Sequence, residues 1–220
     1  MTDASGSMAR SASDDHELAS EYRVSGYVRR RQLVDPQMCA FLARYLLTLS
    51  ETGRLTEDPQ VPGSGSVYGD PAFDVLLGAM TEAIEAHVDG PLLPTYSFAR
   101  LYQAGGELVR HRDRPACEHS VTLHLGSMGA EWPLWLTDRQ GRDVRLLQEP
   151  GDALAYLGTE LEHWRDPLPA GMHAQVFLHW VRADGPHAEH AFDGRPGLGM
   201  PKPPMAPRPT QGVTDDVAAR

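Results

Sequence analysis

The sequence predicts a mainly β chain with supporting helices, and three observations carry that expectation. Between Pro94 and residue 183, seven short segments rich in aromatic and β-branched residues are punctuated by Gly, Pro or Asp. Ahead of them lie two stretches whose apolar residues recur at i, i+3, i+4 and i+7, each opened by Asp-Pro. The hydrophobic fraction, 41% of 220 residues, suits one domain with a full core, and the chain is too short for two comfortable ones.

The elements follow in order. Residues 1–20 are polar and rich in Ser, Ala and Asp, and are expected to be disordered. "YRVSGYVRRRQLV" (22–34) alternates enough for a strand. "DPQMCAFLARYLLTLSETG" predicts a helix with Asp35 as N-cap and Pro36 at the first helical position. Met38, Phe41, Leu42, Tyr45, Leu46 and Leu49 form its apolar stripe, and Gly53 its stop. Residues 54–69 read as a loop. A second helix starts at Asp70 and Pro71, with Phe73, Leu76, Leu77, Met80, Ile84 and Val88 as its stripe, so that residues 35–89 form a helical support.

Strands are predicted at 95–103, 118–126, 132–138, 143–149, 152–158, 161–167 and 174–183, a spacing that suits an antiparallel sandwich or barrel. The domain therefore runs from 21 to 183, with its β core over 94–183. Residues 184–220, with "RPGLGMPKPPMAPRPTQG", are expected to be an extended or disordered tail.

The net charge of −10 argues against binding a nucleic-acid backbone, which requires clustered excess Lys and Arg. Cys39 and Cys117 form no CxxC pair, and neither a signal peptide nor an apolar run of about 20 residues is evident. A cytoplasmic protein without a membrane segment is the expectation, its oligomeric state open.

"LVRHRDRPACEHSVTLHLG" (108–126) then stands out for placing His111 and Asp113 two apart at the end of a predicted strand. Residues at i and i+2 leave one face of a strand. A third ligand, His163 in "LEHWRDP", lies across several intervening strands, as a sheet folding back over itself requires. Two imidazoles and a carboxylate on one face of a metal leave the other positions open, an arrangement suited to non-haem Fe(II). The plainer alternatives are a surface His111 beside Arg110 and Arg112, and a His163 satisfied within the core.

The stretch "ARLYQAGGELVRHRD … SVTLHLG … QEPGDALAYLGTELEHWRDPLPAGMHAQVFLHWV" resembles the 2-oxoglutarate/Fe(II)-dependent oxygenases, in their prolyl-4-hydroxylase-like branch. The resemblance covers about residues 95–183. It implies a double-stranded β-helix (jelly-roll) core, His111, Asp113 and His163 as Fe(II) ligands, and 2-oxoglutarate as cosubstrate, with Tyr102 matching the family's cosubstrate-contacting Tyr. One position departs from the pattern. Where the family places Arg or Lys to hold the distal carboxylate, this chain has His173, a poorer anchor than a bidentate Arg. Arg165 shares the inward parity of His163 and is taken as the anchor, helped by His173 or Gln175; surface pairing with Asp166 or Glu162 is its alternative.

His124 shares inward parity with Thr122 and is a further cosubstrate contact. Arg100 is expected to meet Glu118 or a substrate carboxylate, Arg114 and Glu118 to flank the metal pair, and Trp132 and Trp135 to line the mouth. His179 is assigned to packing.

The function implied is a dioxygenase that consumes O2 and hydroxylates an unactivated C–H of a small molecule, amino acid or peptide. The alternative is a jelly roll that binds a metal or ligand without turnover, or a cupin-like enzyme that uses no 2-oxoglutarate.

Overall fold

The computed structural model of the protein describes residues 12–203 except Asp89, with side chains from Asp15 onward. In chain order its helices are α1 (Ala12–Ser25), α2 (Pro36–Glu51) and α3 (Pro71–Glu85). The strands are β1 (Tyr27–Arg30), β2 (Thr56–Glu57), β3 (Gly65–Tyr68), β4 (Leu92–Gln103), β5 (Leu108–His111), β6 (His119–Gly129), β7 (Leu134–Thr137), β8 (Asp143–Leu146), β9 (Ala153–Leu157), β10 (His163–Arg165) and β11 (Gly171–Arg182). They build two antiparallel sheets, one ordered β1-β9-β6-β11-β4-β3-β2 and the other β5-β10-β7-β8. This is the jelly-roll core the sequence predicts.

Both supporting helices begin where the Asp-Pro signals put them. The Asp35 carboxylate accepts from the backbone N–H of Gln37 at 2.7 Å, and Asp70 from that of Ala72 at 2.9 Å. Both helices pack against β4 and β11, α2 also against β6, and Leu42, Leu46, Phe73, Leu77 and Ile84 join one core with Val121, Leu178 and Trp180. The stripe of α2 is narrower than its periodicity implies. Phe41 is 65% exposed and Met38 also faces outward, while Cys39 is buried in their stead.

Three further expectations are corrected. Residues 12–20 are the first part of α1, and the predicted strand from residue 22 shortens to β1. Tyr22 anchors this helix, its buried ring lying beside His119 and its hydroxyl 2.8 Å from His119 Nδ1. The predicted loop 54–69 contains β2 and β3, the latter pairing Val67 with Ala99 of β4. Its Gly and Ser content hid that strand. Residues 184–203 are packed in place: Asp193 receives both Arg114 Nη atoms at 2.8 and 2.9 Å, and Arg195 reaches the buried Asp74. Charge pairing, which apolar periodicity does not register, holds this segment down. The remaining ends predicted to be disordered, 1–11 and 204–220, lie outside the described residues. Among the described residues no helix is long and apolar enough to cross a membrane.

Candidate active site

The short strands β5 and β10 pair so that His111 and His163 stand directly opposite each other, with ring centroids 4.3 Å apart. Asp113 follows β5 and is fixed at both ends. Its backbone N–H donates to the Gly158 carbonyl at 2.9 Å, and its Oδ2 accepts from the Ser120 hydroxyl at 3.1 Å. Its other oxygen, Oδ1, lies 3.6 Å from Nε2 of His111 and 3.6 Å from Nε2 of His163. The three residues that the sequence separates are thus brought together, with ligand atoms all within 4.8 Å of one another.

Hydrogen-bond chemistry fixes the tautomers. His111 Nδ1 is 2.8 Å from the Val109 carbonyl and His163 Nδ1 3.0 Å from that of Leu161. A carbonyl only accepts, so each Nδ1 carries the proton and each Nε2 presents a lone pair. Two imidazole lone pairs and a carboxylate oxygen therefore converge at separations too long for hydrogen bonds. The Tyr156 hydroxyl, 3.4 Å from His163 Nε2, stands at the long limit of such a bond. This donor set fits a divalent first-row metal, whose nitrogen and oxygen ligands lie about 2.0–2.2 Å from it.

The local charges agree. Burial raises the Asp113 pKa, but the imidazoles of His111, His163 and His179 outweigh it and the carboxyl sits below its ordinary range. Burial lowers His163. Burial also lowers His111, yet Asp113 and the Val109 carbonyl prevail and its net shift is upward. His111, Asp113 and His163 line a cavity of about 300 Å³ whose walls include Tyr96, Phe98, Leu108 and Phe177.

Two residues along β10 from His163, Arg165 is only 1% exposed. Its Nη1 donates to the Trp132 carbonyl at 2.7 Å, its Nη2 reaches Gln148 Oε1 at 3.5 Å, and its guanidinium stacks on the Trp132 ring at 4.6 Å. Its Nε has no partner, and among the described residues no carboxylate pairs with it. Burial lowers its pKa to about 10. A buried cation left with neutral acceptors calls for an anion. The surface alternative is overturned: Glu162 engages Arg110, and Asp166 accepts from the Trp135 indole.

Tyr102 is fully buried on β4, its hydroxyl accepting from Arg100 Nη1 at 2.8 Å and its ring edge-on to Trp132. His173 and Gln175 share the inward face of β11 but are occupied with each other: His173 Nε2 is 2.8 Å from Gln175 Oε1, and Gln175 Nε2 donates to Thr122 Oγ1 at 2.5 Å. His124 points inward with Thr122, as predicted, and stacks on His173 at 4.3 Å.

Other expectations are redirected. Arg100 pairs with Asp58 at 2.6 Å, and Glu118 accepts from the Arg182 backbone. Trp135 stacks on Trp164 away from the mouth, because its strand parity faces outward. Trp132 lines a separate cavity of about 130 Å³ beside His173. His179 is no mere packing residue, since it lines the same cavity as His111, Asp113 and His163 and sits 2.8 Å from Ser120 Oγ. Its parity with Phe177, which lines the same cavity, was the available signal. Gly158 also escaped notice: a Cβ there would lie 2.5 Å from Asp113 Oδ2 and collide with the Cys117 carbonyl.

No family model and no curated protein matches this sequence. Solved structures do match in fold. A prolyl-4-hydroxylase of Pseudomonas putida aligns with a TM-score of 0.64 at 17% identity, covering 76% of this chain and 98% of its own. A prolyl hydroxylase of Trichoplax adhaerens, solved with a hypoxia inducible factor peptide fragment, gives 0.67 at 15% identity over 83% of this chain and 93% of its own. The epimerase SnoN, solved with Fe3+, alpha ketoglutarate and nogalamycin RO, gives 0.69 at 13% identity over 90% of this chain and 98% of its own.

Proposed function

We propose that the protein is an Fe(II)- and 2-oxoglutarate-dependent oxygenase, with His111, Asp113 and His163 as iron ligands. The observation that carries this reading is the convergence of two Nε2 lone pairs and Asp113 Oδ1, both imidazole protons being held away on backbone carbonyls. Bound there with 2-oxoglutarate, iron supplies O2 activation coupled to decarboxylation of the cosubstrate to succinate. The chain's own residues supply the rest.

Arg165 is assigned the distal carboxylate of 2-oxoglutarate, the anion its buried guanidinium lacks, with Tyr102 close beside it. Gln148 Oε1 is shared by Arg165 at 3.5 Å and Gln175 at 3.3 Å, so His173 and Gln175 brace the anchor from behind. The aromatic walls of the cavity are assigned the substrate. Two of the fold neighbours are prolyl hydroxylases and one is an epimerase. The finer assignment, hydroxylation of a C–H in a small molecule, amino acid or peptide, rests on the sequence resemblance.

Succinate release tests the proposal. Purified protein given Fe(II), 2-oxoglutarate and O2 forms succinate, slowly without substrate and faster with it, and replacing Asp113 by Ala abolishes both. Equal succinate formation by that variant sinks the ligand assignment. Metal binding without any succinate in the wild type favours the non-catalytic reading.

A further inference from the structure

Ser120 Oγ has the Tyr156 hydroxyl and three other polar groups around it, and the chemistry of those three favours one arrangement. Asp113 Oδ2 lies at 3.1 Å, the Cys117 carbonyl at 3.1 Å and His179 Nδ1 at 2.8 Å. The first two only accept, and the serine has a single proton to give. Were Nδ1 also an acceptor, three lone pairs would compete for that proton at the shortest distance of the set. His179 Nδ1 therefore carries hydrogen and donates to Ser120, which frees the serine proton for the charged carboxylate, the strongest acceptor present. His179 is buried and packs at a tilt against Tyr96 with ring centroids 4.6 Å apart, which restrains its ring.

We infer that Ser120 and His179 are positioning residues for Asp113. The relay His179 Nδ1–H to Ser120 Oγ–H to Asp113 Oδ2 has one polarity and always delivers a donor to Oδ2. Gly158 lets this oxygen sit close to the backbone, where a Cβ would meet both Asp113 Oδ2 and Ser120 Oγ. With Oδ2 occupied, Asp113 presents only Oδ1 to the two imidazoles. A metal held there would then meet one carboxylate oxygen of Asp113, Oδ1, and not both. Partners of this kind, outside the ligands themselves, typically govern metal affinity by roughly 10- to 100-fold. The inference rests on the ligand assignment proposed above but concerns residues that this assignment does not include.

Anaerobic titration with Co(II), read by its visible d–d absorption, tests it without turnover. Ser120→Ala is expected to raise the Co(II) dissociation constant about tenfold or more and to change the d–d band as Oδ2 is released, while the metal-free protein keeps its circular-dichroism spectrum. His179→Phe, an aromatic ring without a donor, removes the hydrogen bond to the serine and is expected to weaken binding several-fold; it decides the matter if Ser120→Ala does not fold. Wild-type affinity and an unchanged band in a folded variant overturn the relay alone. Failure of the wild type to bind Co(II) overturns the ligand assignment, and the relay with it.

Discussion

Two polar clusters lie inside the same barrel, and they differ in whether their hydrogen bonds close. Around His173 most groups find a complement: Gln175 accepts from His173 and donates to Thr122 and Gln148, and His124 Nε2 is left without a partner among the described residues. Around His111, Asp113 and His163, acceptors face acceptors. Burying polar atoms costs little when donors and acceptors match and several kcal/mol when they do not. The closed cluster fits a scaffold role, and the open one fits the metal proposed for it. Arg165 falls between the two, with three contacts to neutral groups and one nitrogen, Nε, without a partner.

The sharpest way to break this contrast is to remove a lone pair from the open cluster. Asp113→Ala should reduce succinate formation by at least about 1,000-fold while leaving the metal-free fold intact, because it also removes unfavourable proximity between acceptors. Arg165→Met should raise the KM for 2-oxoglutarate by roughly 100-fold, a loss of about 2–5 kcal/mol for a buried charge pair. Without cosubstrate the same variant should melt no lower than the wild type, since it deletes an uncompensated buried charge. A melting temperature well below wild type would show that Arg165 is already paired within the protein.

His111 gives the contrast a pH signature. Its net shift is upward in the metal-free protein, so it takes up a proton as pH falls through a value above the ordinary histidine range. A protonated imidazole cannot ligate, and metal affinity should fall about tenfold per pH unit below that value. Metal titrations at several pH values check the slope; pH-independent affinity down to pH 5 would remove His111 from the site.

Much of this was legible in the sequence, for reasons that differ by residue. His111 and Asp113 announced themselves by a spacing that any strand converts into a shared face, and the Asp-Pro caps fixed both helix starts. The inward direction of Arg165 was legible through parity with His163, and the structure adds that among the described residues no carboxylate pairs with it. The missing pieces are those that depend on partners remote in the chain. Arg100 was expected to meet Glu118 and instead meets Asp58, on a loop whose strands were hidden by Gly and Ser. The C-terminal segment looked like a tail because its Pro and Gly content is high, yet Asp193 and Arg195 tie it down through Arg114 and Asp74. Gly158 and Ser120 act through sub-ångström fit to Asp113, and no periodicity encodes that.

Two smaller effects complete the comparison. Gly158→Ala should destabilise the protein by roughly 1–3 kcal/mol, the usual cost of overpacking, and weaken metal binding because the displaced atom is an oxygen of Asp113. His173→Phe should change the KM for 2-oxoglutarate by less than about threefold, while thermal unfolding reports a loss of about 1 kcal/mol from its bond to Gln175. A hundredfold KM effect there would place the cosubstrate on the closed cluster and invert the comparison.

The most direct measurement is anaerobic titration of Fe(II) into the protein in the presence of 2-oxoglutarate, followed by visible absorption. The account predicts a weak metal-to-cosubstrate charge-transfer band that saturates at one Fe(II) per chain and disappears in Asp113→Ala. Iron bound without that band, or a band that survives replacement of both Asp113 and His163 by Ala, would contradict it.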